Sequence, residues 1–237
     1  VFRKGVLNDD NFAIEFGELG PVYGKQWRDW NGVDQIDNVL YLLENDPDSR
    51  RIMVNAWNVE DIPDMTLPPC HYGFQFYTRL LGTKERLTQY KKINEKAVNH
   101  DKILEEMDEA GVPVRAISLM WNQRSVDVFL GLPFNIASYA TLLTLFGEMT
   151  NMVPDQLVGN LGDTHIYNNH FEAVNTQLKA KSHPLPGLEF SSELRDIISD
   201  FRNKEIGTNH LISKLDSNMF NLTNYNSSPI IRAPLNN

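Results

Sequence analysis

Leu67-Pro68-Pro69-Cys70-His71-Tyr72-Gly73-Phe74-Gln75-Phe76-Tyr77-Thr78 is the stretch on which the fold turns. Pro68 and Pro69 fix φ and donate no hydrogen bond, so the turn ahead of Cys70 is stiff. Residues 72–78 are rich in aromatic side chains and read as a strand. Cys70, the only cysteine of the chain, is therefore held at the mouth of a strand with His71 beside it. A thiol so placed is a plausible nucleophile. A lone cysteine is more often a small buried hydrophobe, and Cys-His alone leaves both readings open.

On the N-terminal side, residues 8–15 read as a short polar helix with Asp9 and Asp10 in its first turn. Three glycines and Pro21 within residues 17–24 mark tight backbone, and Tyr23, Trp27 and Trp30 add aromatic bulk. Val33, Ile36, Val39, Leu40 and Leu43 recur at helical spacing, and Pro47 predicts an end near Asn45. Arg50 and Arg51 then lead into an expected strand over 52–58. On the other side of Cys70, residues 82–112 form a charged, helical insertion, with a strand resuming over 114–122. Residues 123–135 read as a turn-rich link carrying arginine, hydroxyl, carboxylate and amide. A nearly apolar helix over 136–149 is expected to be buried all round. A further helical piece is expected over 193–202, in a tail rich in Pro, Ser and Asn.

Length and composition set the class. With 237 residues, the default is a single domain over 1–237. The net charge of −9 argues against a general DNA or RNA binder, which would show a basic face. No apolar run is long enough to cross a membrane. One cysteine cannot form an internal disulfide, which points to a cytoplasmic location. His165 and His170 lack a helical one-turn spacing, and no second cysteine completes a zinc set, so no metal is expected. His71, Asn169 and His170 read as mainly structural, and His100, His183 and His210 as surface residues. Arginine clusters bind phosphate dianions by bidentate, charge-assisted bonds, and cations beside a thiol favour the thiolate. A nucleoside monophosphate attacked by cysteine would use both.

Five runs carry a resemblance. They are Glu18-Leu19-Gly20-Pro21-Val22-Tyr23-Gly24-Lys25-Gln26-Trp27-Arg28, Pro47-Asp48-Ser49-Arg50-Arg51, Pro68-Pro69-Cys70-His71, residues 123–140, and Asp163-Thr164-His165-Ile166-Tyr167 with Asn169-His170. In these runs and their order the chain resembles the thymidylate synthase family. The resemblance implies an α+β fold, with a mixed sheet against long helices and one sheet face forming a two-fold dimer interface. It implies conversion of dUMP to dTMP with 5,10-methylenetetrahydrofolate as carbon and hydride donor. Cys70 would add to C6 of the pyrimidine. Arg124, Ser125 and Val126 would take part in holding dUMP, and Arg50 and Arg51 would be donated to the partner's site in a homodimer. Asn135 would read the uracil edge, since an amide both donates and accepts. His165, Ile166 and Tyr167 would lie at the ribose. Asp127 would serve catalysis and the folate pterin, Gly131 and Asn236 the folate, and Tyr23 the proton-moving water network.

The chain departs from the family pattern in four places, the extra helical piece in the tail being one. An N-terminal portion, with a further arginine, a glutamate and tryptophans, is expected to lie outside this chain, supplied by a second polypeptide unless the fragment is inactive. The insertion over 82–112 replaces a short hairpin, and Leu235-Asn236-Asn237 replaces an apolar C-terminus. Two alternatives stay open at this level: a dUMP hydroxymethylase of the same family, and a non-catalytic nucleotide-binding fragment.

Overall fold

The structure, a computed structural model, describes residues 17–94 and 102–235. The helix expected over 8–15, His100 and Asn236 lie outside the described residues. A short helix α1 (Gly24–Arg28) precedes α2 (Gln35–Asn45), whose Ile36, Val39, Leu40 and Leu43 are buried along one stripe. Asp34 caps α2 by accepting from the Asp37 N–H at 3.0 Å, which starts the helix two residues after the expected Val33. Strand β1 (Met53–Asn55) is shorter than the predicted 52–58. Its end comes where the Asn55 side chain accepts the Trp57 N–H at 2.9 Å, a local turn that competes with the ladder.

Strand β2 (His71–Leu80) follows the proline turn as expected. Helices α3 (Thr83–Ile93) and α4 (Ile103–Glu109) occupy the insertion, between β2 and β3 (Arg115–Asp127). β3 corrects the sequence reading: Gln123 to Asp127 is strand, not link. Parallel pairing sustains it, with Ser125 opposite Asp163, Val126 opposite Thr164 and Asp127 opposite His165. Polar composition suggested a turn, but a ladder on an adjacent strand satisfies the backbone whatever the side chains are.

Helix α5 (Leu132–Met149) starts earlier than predicted, because Pro133 sits in its first turn, where a missing N–H costs nothing. It is not buried all round. Phe134 is 74% exposed and Ile136 44%, while Tyr139, Leu143, Phe146 and Met149 are buried. Strand β4 (Met152–His165) had no signal in the sequence, because residues along most of its length are exposed and no alternation marks it. The tail holds α6 (Phe171–Leu178), β5 (Gly187–Phe190), α7 (Ser192–Arg202), α8 (Thr208–Lys214) and β6 (Phe220–Thr223). Of these, only α7 was expected.

The main sheet runs in the order β1-β2-β3-β4, antiparallel except for β3 with β4, and β5 pairs with β6 apart from it. A parallel pair requires a crossover, and α5 is that crossover. One sheet face buries Val54, Phe74, Phe76, Ile117, Leu119 and Trp121 in a cluster with α2, α5 and α7. Phe76 stacks on Phe146 at 4.7 Å and Trp121 on Tyr139 at 5.4 Å. Gly159 makes room for Trp121, since a Cβ there would lie 2.5 Å from the indole ring. The opposite face, by the register Met53–Gln75 and Met120–Val158, carries Met53, Tyr77 and Val158, which are 53%, 67% and 42% exposed. The result is an α+β fold with a mixed sheet against helices. Among the described residues no helix is long and apolar enough to cross a membrane.

Candidate active site

Cys70 sits one residue before β2, where His71 pairs with Gln123 of β3. This pairing brings the sulfur-bearing turn beside Arg124. The Arg124 N–H donates to Cys70 O at 2.8 Å, and its guanidinium donates to Pro69 O and Pro68 O at 3.0 Å each. The fixed φ of Pro68 and Pro69 limits how far their accepting carbonyls can swing, so the turn and the arginine fix one another. The guanidinium carbon also lies 5.4 Å from the Trp57 ring centre, a cation–π contact. Arg124 stays exposed despite these bonds, so its charge faces an incoming anion.

Tyr23 reaches the same turn from the other side. Its hydroxyl accepts the Cys70 N–H at 2.9 Å, which leaves the phenol proton for another acceptor. Burial raises the Tyr23 pKa above the ordinary phenol range, so the hydroxyl stays protonated at neutral pH. His71 stacks on Tyr23 at 4.4 Å and shares a 2.7 Å hydrogen bond between its Nδ1 and the Tyr139 hydroxyl. Burial lowers His71 to about 4 and raises Tyr139. At neutral pH the imidazole is therefore an uncharged hydrogen-bonding group.

Asn135, in the first turns of α5, is aimed by Gln123. The buried Gln123 Nε2 donates to Asn135 Oδ1 at 3.1 Å and to Ser125 O at 3.0 Å, while its Oε1 accepts from Trp121 Nε1 at 3.1 Å. With Oδ1 so assigned, the Asn135 amide presents Nδ2 donors and a second carbonyl lone pair. Asp127 Oδ1 accepts the N–H groups of Phe129 and Leu130 at 3.0 and 3.1 Å, which holds the carboxyl still. Gly131 packs so close to Asp127 that a Cβ would meet Asp127 O at 3.0 Å.

His165 is opposite Asp127 in the β3–β4 register. Its Nδ1 shares a hydrogen bond with the accepting Asp163 Oδ1 at 3.1 Å. Tyr167 packs edge-on against His165 at 4.9 Å, and Ile166 between them is exposed. Ser125 is half-buried. Val126 is 0% exposed, so the structure does not bring it to any surface that a ligand could touch. His170 is equally buried and donates Nε2–H to Pro234 O at 2.8 Å, tying the tail to this end of the sheet. His183 and His210 are exposed.

Arg50 and Arg51 are elsewhere. Arg50 O accepts from Gln75 Nε2 at 3.2 Å, five positions along β2 from Cys70. At about 3.3 Å per strand residue that is roughly 16 Å, farther than a side chain extends. Both arginines are exposed near the outward sheet face.

Sequence reasoning assigned no role to Gln123, Trp57 or Tyr139. Each acts through a tertiary contact, Gln123 with Asn135 of α5, Trp57 with Arg124 and Tyr139 with His71, that local sequence does not announce. Among the described residues no group of three His, Cys, Asp or Glu is gathered to hold a metal ion. A cavity of about 550 Å³ lies away from Cys70, among Leu40, Tyr41, Met149, Phe201 and Ile206. Several of its charged groups are engaged: Lys204 with Glu44, Arg115 with Asp48, and Asp37 with the Thr208 hydroxyl.

Comparison with known proteins gives a consistent picture. The family model described as "Thymidylate synthase" matches residues 3–236. The chain is 40% identical over 205 residues to a thymidylate synthase of Mycoplasma mobile, covering 86% of the chain and 59% of that protein. It is 36% identical over 239 residues to one of Listeria innocua, covering 99% of the chain and 60% of that protein. The crystal structure of thymidylate synthase from T4 phage superposes with a TM-score of 0.68 at 36% identity, over 99% of this chain and 70% of that one. The chain thus spans about three-fifths of the length of these curated relatives. With the family model running over nearly all of its residues, the chain belongs to the thymidylate synthase family.

Proposed function

We propose that this chain carries the nucleophile-bearing part of an enzyme that converts dUMP to dTMP, with 5,10-methylenetetrahydrofolate as co-substrate. One observation carries the reading: Arg124 grips the Cys70 turn through Pro68 O and Pro69 O while the adjacent Gln123 aims Asn135. Nucleophile, phosphate-binding cation and pyrimidine-reading amide thus converge on one end of the sheet.

Cys70 Sγ, as thiolate, bonds to C6 of the uracil ring, and the C5–C6 π electrons move to C5 and O4. Asn135 donates to O4, where this charge gathers, and accepts from N3–H. Arg124 and Ser125 hold the 5′-phosphate. The folate, when bound, would supply the methylene that C5 takes up, its bonds to the folate nitrogens breaking with their electrons kept on nitrogen, and then the hydride that makes it a methyl group, leaving as dihydrofolate. The Tyr23 hydroxyl and neutral His71 order the water that removes the C5 proton. The C6–S bond then breaks and its electrons return to sulfur. Asp127 and Gly131 form the folate side, and His165 and Tyr167 meet the ribose hydroxyl.

The site is completed by a second copy of the chain. Arg50 and Arg51 lie too far along β2 to serve their own Cys70, and the outward sheet face offers Met53, Tyr77 and Val158 for a two-fold contact. We read residues 1–237 as one domain with a helical insertion over 82–112, and place the protein in the cytoplasm on the strength of its single cysteine.

The test is mass spectrometry of the covalent adduct with 5-fluoro-dUMP and methylenetetrahydrofolate, with and without a polypeptide carrying the family's N-terminal portion. The native chain should form the adduct. Cys70→Ser should bind dUMP but form no adduct and fail to dehalogenate 5-bromo-dUMP. Dehalogenation by Cys70→Ser, or no adduct from the native chain under either condition, overturns the reading, and a 5-hydroxymethyl product overturns the methyl assignment.

A further inference from the structure

Behind the Cys70 turn lies a buried amide cluster that the chemistry above does not use. Gln26, on α1, is 0% exposed. Its Nε2 donates to Pro21 O at 2.8 Å and to Asp61 Oδ2 at 2.6 Å, and its Oε1 accepts from Asn58 Nδ2 at 3.1 Å. Asn58, also buried, donates from the same nitrogen to Asp61 Oδ2 at 3.0 Å. Gln35 extends the frame, donating Nε2–H to Gln26 O and Asn55 O at 2.8 Å each while its Oε1 accepts the Asn55 N–H at 2.9 Å.

The cluster joins the two segments that flank the sulfur. One is the turn from Gly20 to Tyr23, whose hydroxyl receives the Cys70 N–H. Tyr23 adopts φ 31°, a conformation that costs a non-glycine residue of order 1–3 kcal/mol and persists only where its surroundings over-determine it. The short helix α1 (Gly24–Arg28) gives it one backbone bond, from the Trp27 N–H to Tyr23 O at 2.9 Å, and Tyr23 makes no side-chain cap. The Gln26 bond to Pro21 O closes that turn across its base. Gly20 (φ 77°) lies where a Cβ would be 2.1 Å from Asp64 O, so the same turn is pressed against the loop carrying Asn58 and Asp61. The second segment is Trp57, next in the chain to Asn58, whose ring lies against the Arg124 guanidinium.

We propose that Gln26, through Asn58 and Asp61, is a positioning residue for this reaction: it holds the Tyr23 hydroxyl on the Cys70 turn and so keeps the sulfur in its attacking geometry. Its position needs two donors and an acceptor at one dry point. Glutamate lacks the donors and methionine of similar length lacks all three. A buried bond lost there is not replaced by water.

The inference rests on the proposed reaction, and its test separates the two. In the intact protein, Gln26→Met should keep dUMP affinity within about threefold, while the first-order rate constant for adduct formation with 5-fluoro-dUMP and methylenetetrahydrofolate falls roughly ten- to a hundredfold, as expected for a misplaced nucleophile. Tyr23→Phe should slow the same step, and adding Gln26→Met to it should slow it little further, because both act on one contact. A merely structural role would lower the amount of adduct and leave its rate constant unchanged, and that result overturns the proposal. Additive losses in the double variant overturn it as well. If Gln26→Met fails to fold, Asp61→Ala, which removes a half-exposed acceptor of the same cluster, is read by the same criteria. A native protein that forms no adduct rejects the reaction and this role together, whereas a native adduct with an unaltered variant rejects only the role of Gln26.

Discussion

His71 illustrates how far a single residue's behaviour depends on its surroundings. Burial lowers its pKa from 6.5 to about 4, so between those values the unfolded chain binds a proton that the folded chain refuses. Stability therefore rises with pH across that window and is lost as pH falls through it, by up to about 3 kcal/mol for such a shift. Urea midpoints measured at about pH 7 and about pH 4.5 should differ more for the native protein than for His71→Phe, which removes the titrating group and keeps the ring contacts. Equal pH dependence in both would contradict a neutral buried imidazole. The same neutrality limits His71 to hydrogen bonding at the active site. Cys70 and Asn135 show the complementary case. Their chemistry is legible from residue type and neighbours in the chain, whereas the Gln123 bond that aims Asn135 is not.

At the scale of elements, the helices α3 and α4 build a small core of their own. Tyr90 on α3 and Met107 on α4 bury against Val112, with Leu87 and Ile103 at the edge, apart from the main cluster. Arg86 donates to Asp108 Oδ1 at 2.6 Å and so ties the two helices together. The ladder beneath is already closed, since Leu80 pairs with Arg115 and the Leu81 N–H donates to Val114 O at 2.9 Å. Replacing residues 83–112 by a two-residue Asn-Gly turn should thus leave nucleotide binding unchanged and lower the melting temperature by no more than about 5 °C. Loss of binding would show that the insertion reaches the site. The helices α2 and α7 were readable because a buried stripe recurs along each. β4 was not, because a strand exposed on both faces leaves no period to detect, and the β5–β6 pair was too short to stand out.

At the scale of the whole molecule, the separation of Arg50 and Arg51 from Cys70 carries a consequence for assembly. Tyr77→Glu, placed in the middle of the outward sheet face, should shift the protein toward monomer in sedimentation and abolish adduct formation with it. Mixing a Cys70→Ser protein with an Arg50→Ala, Arg51→Ala protein should restore activity, because one of the two mixed sites then has a native sulfur and native arginines. Failure to restore, with mixed dimers present, would place the arginines outside the site.

The sequence by itself determined the local matters: a stiff turn before Cys70, the stripe of α2, the helices between β2 and β3, and the kinds of side chain proposed as nucleophile, cation and pyrimidine reader. These depend on φ restriction, helical period and functional groups, all of which belong to residues near one another in the chain. Only the tertiary structure decided that β3 continues to Asp127, that α5 opens its first turns to the site, that Val126 is sealed away, and that Gln26 and His71 lie in dry surroundings. Strand register and burial are set by partners far along the chain, so no window of sequence contains them.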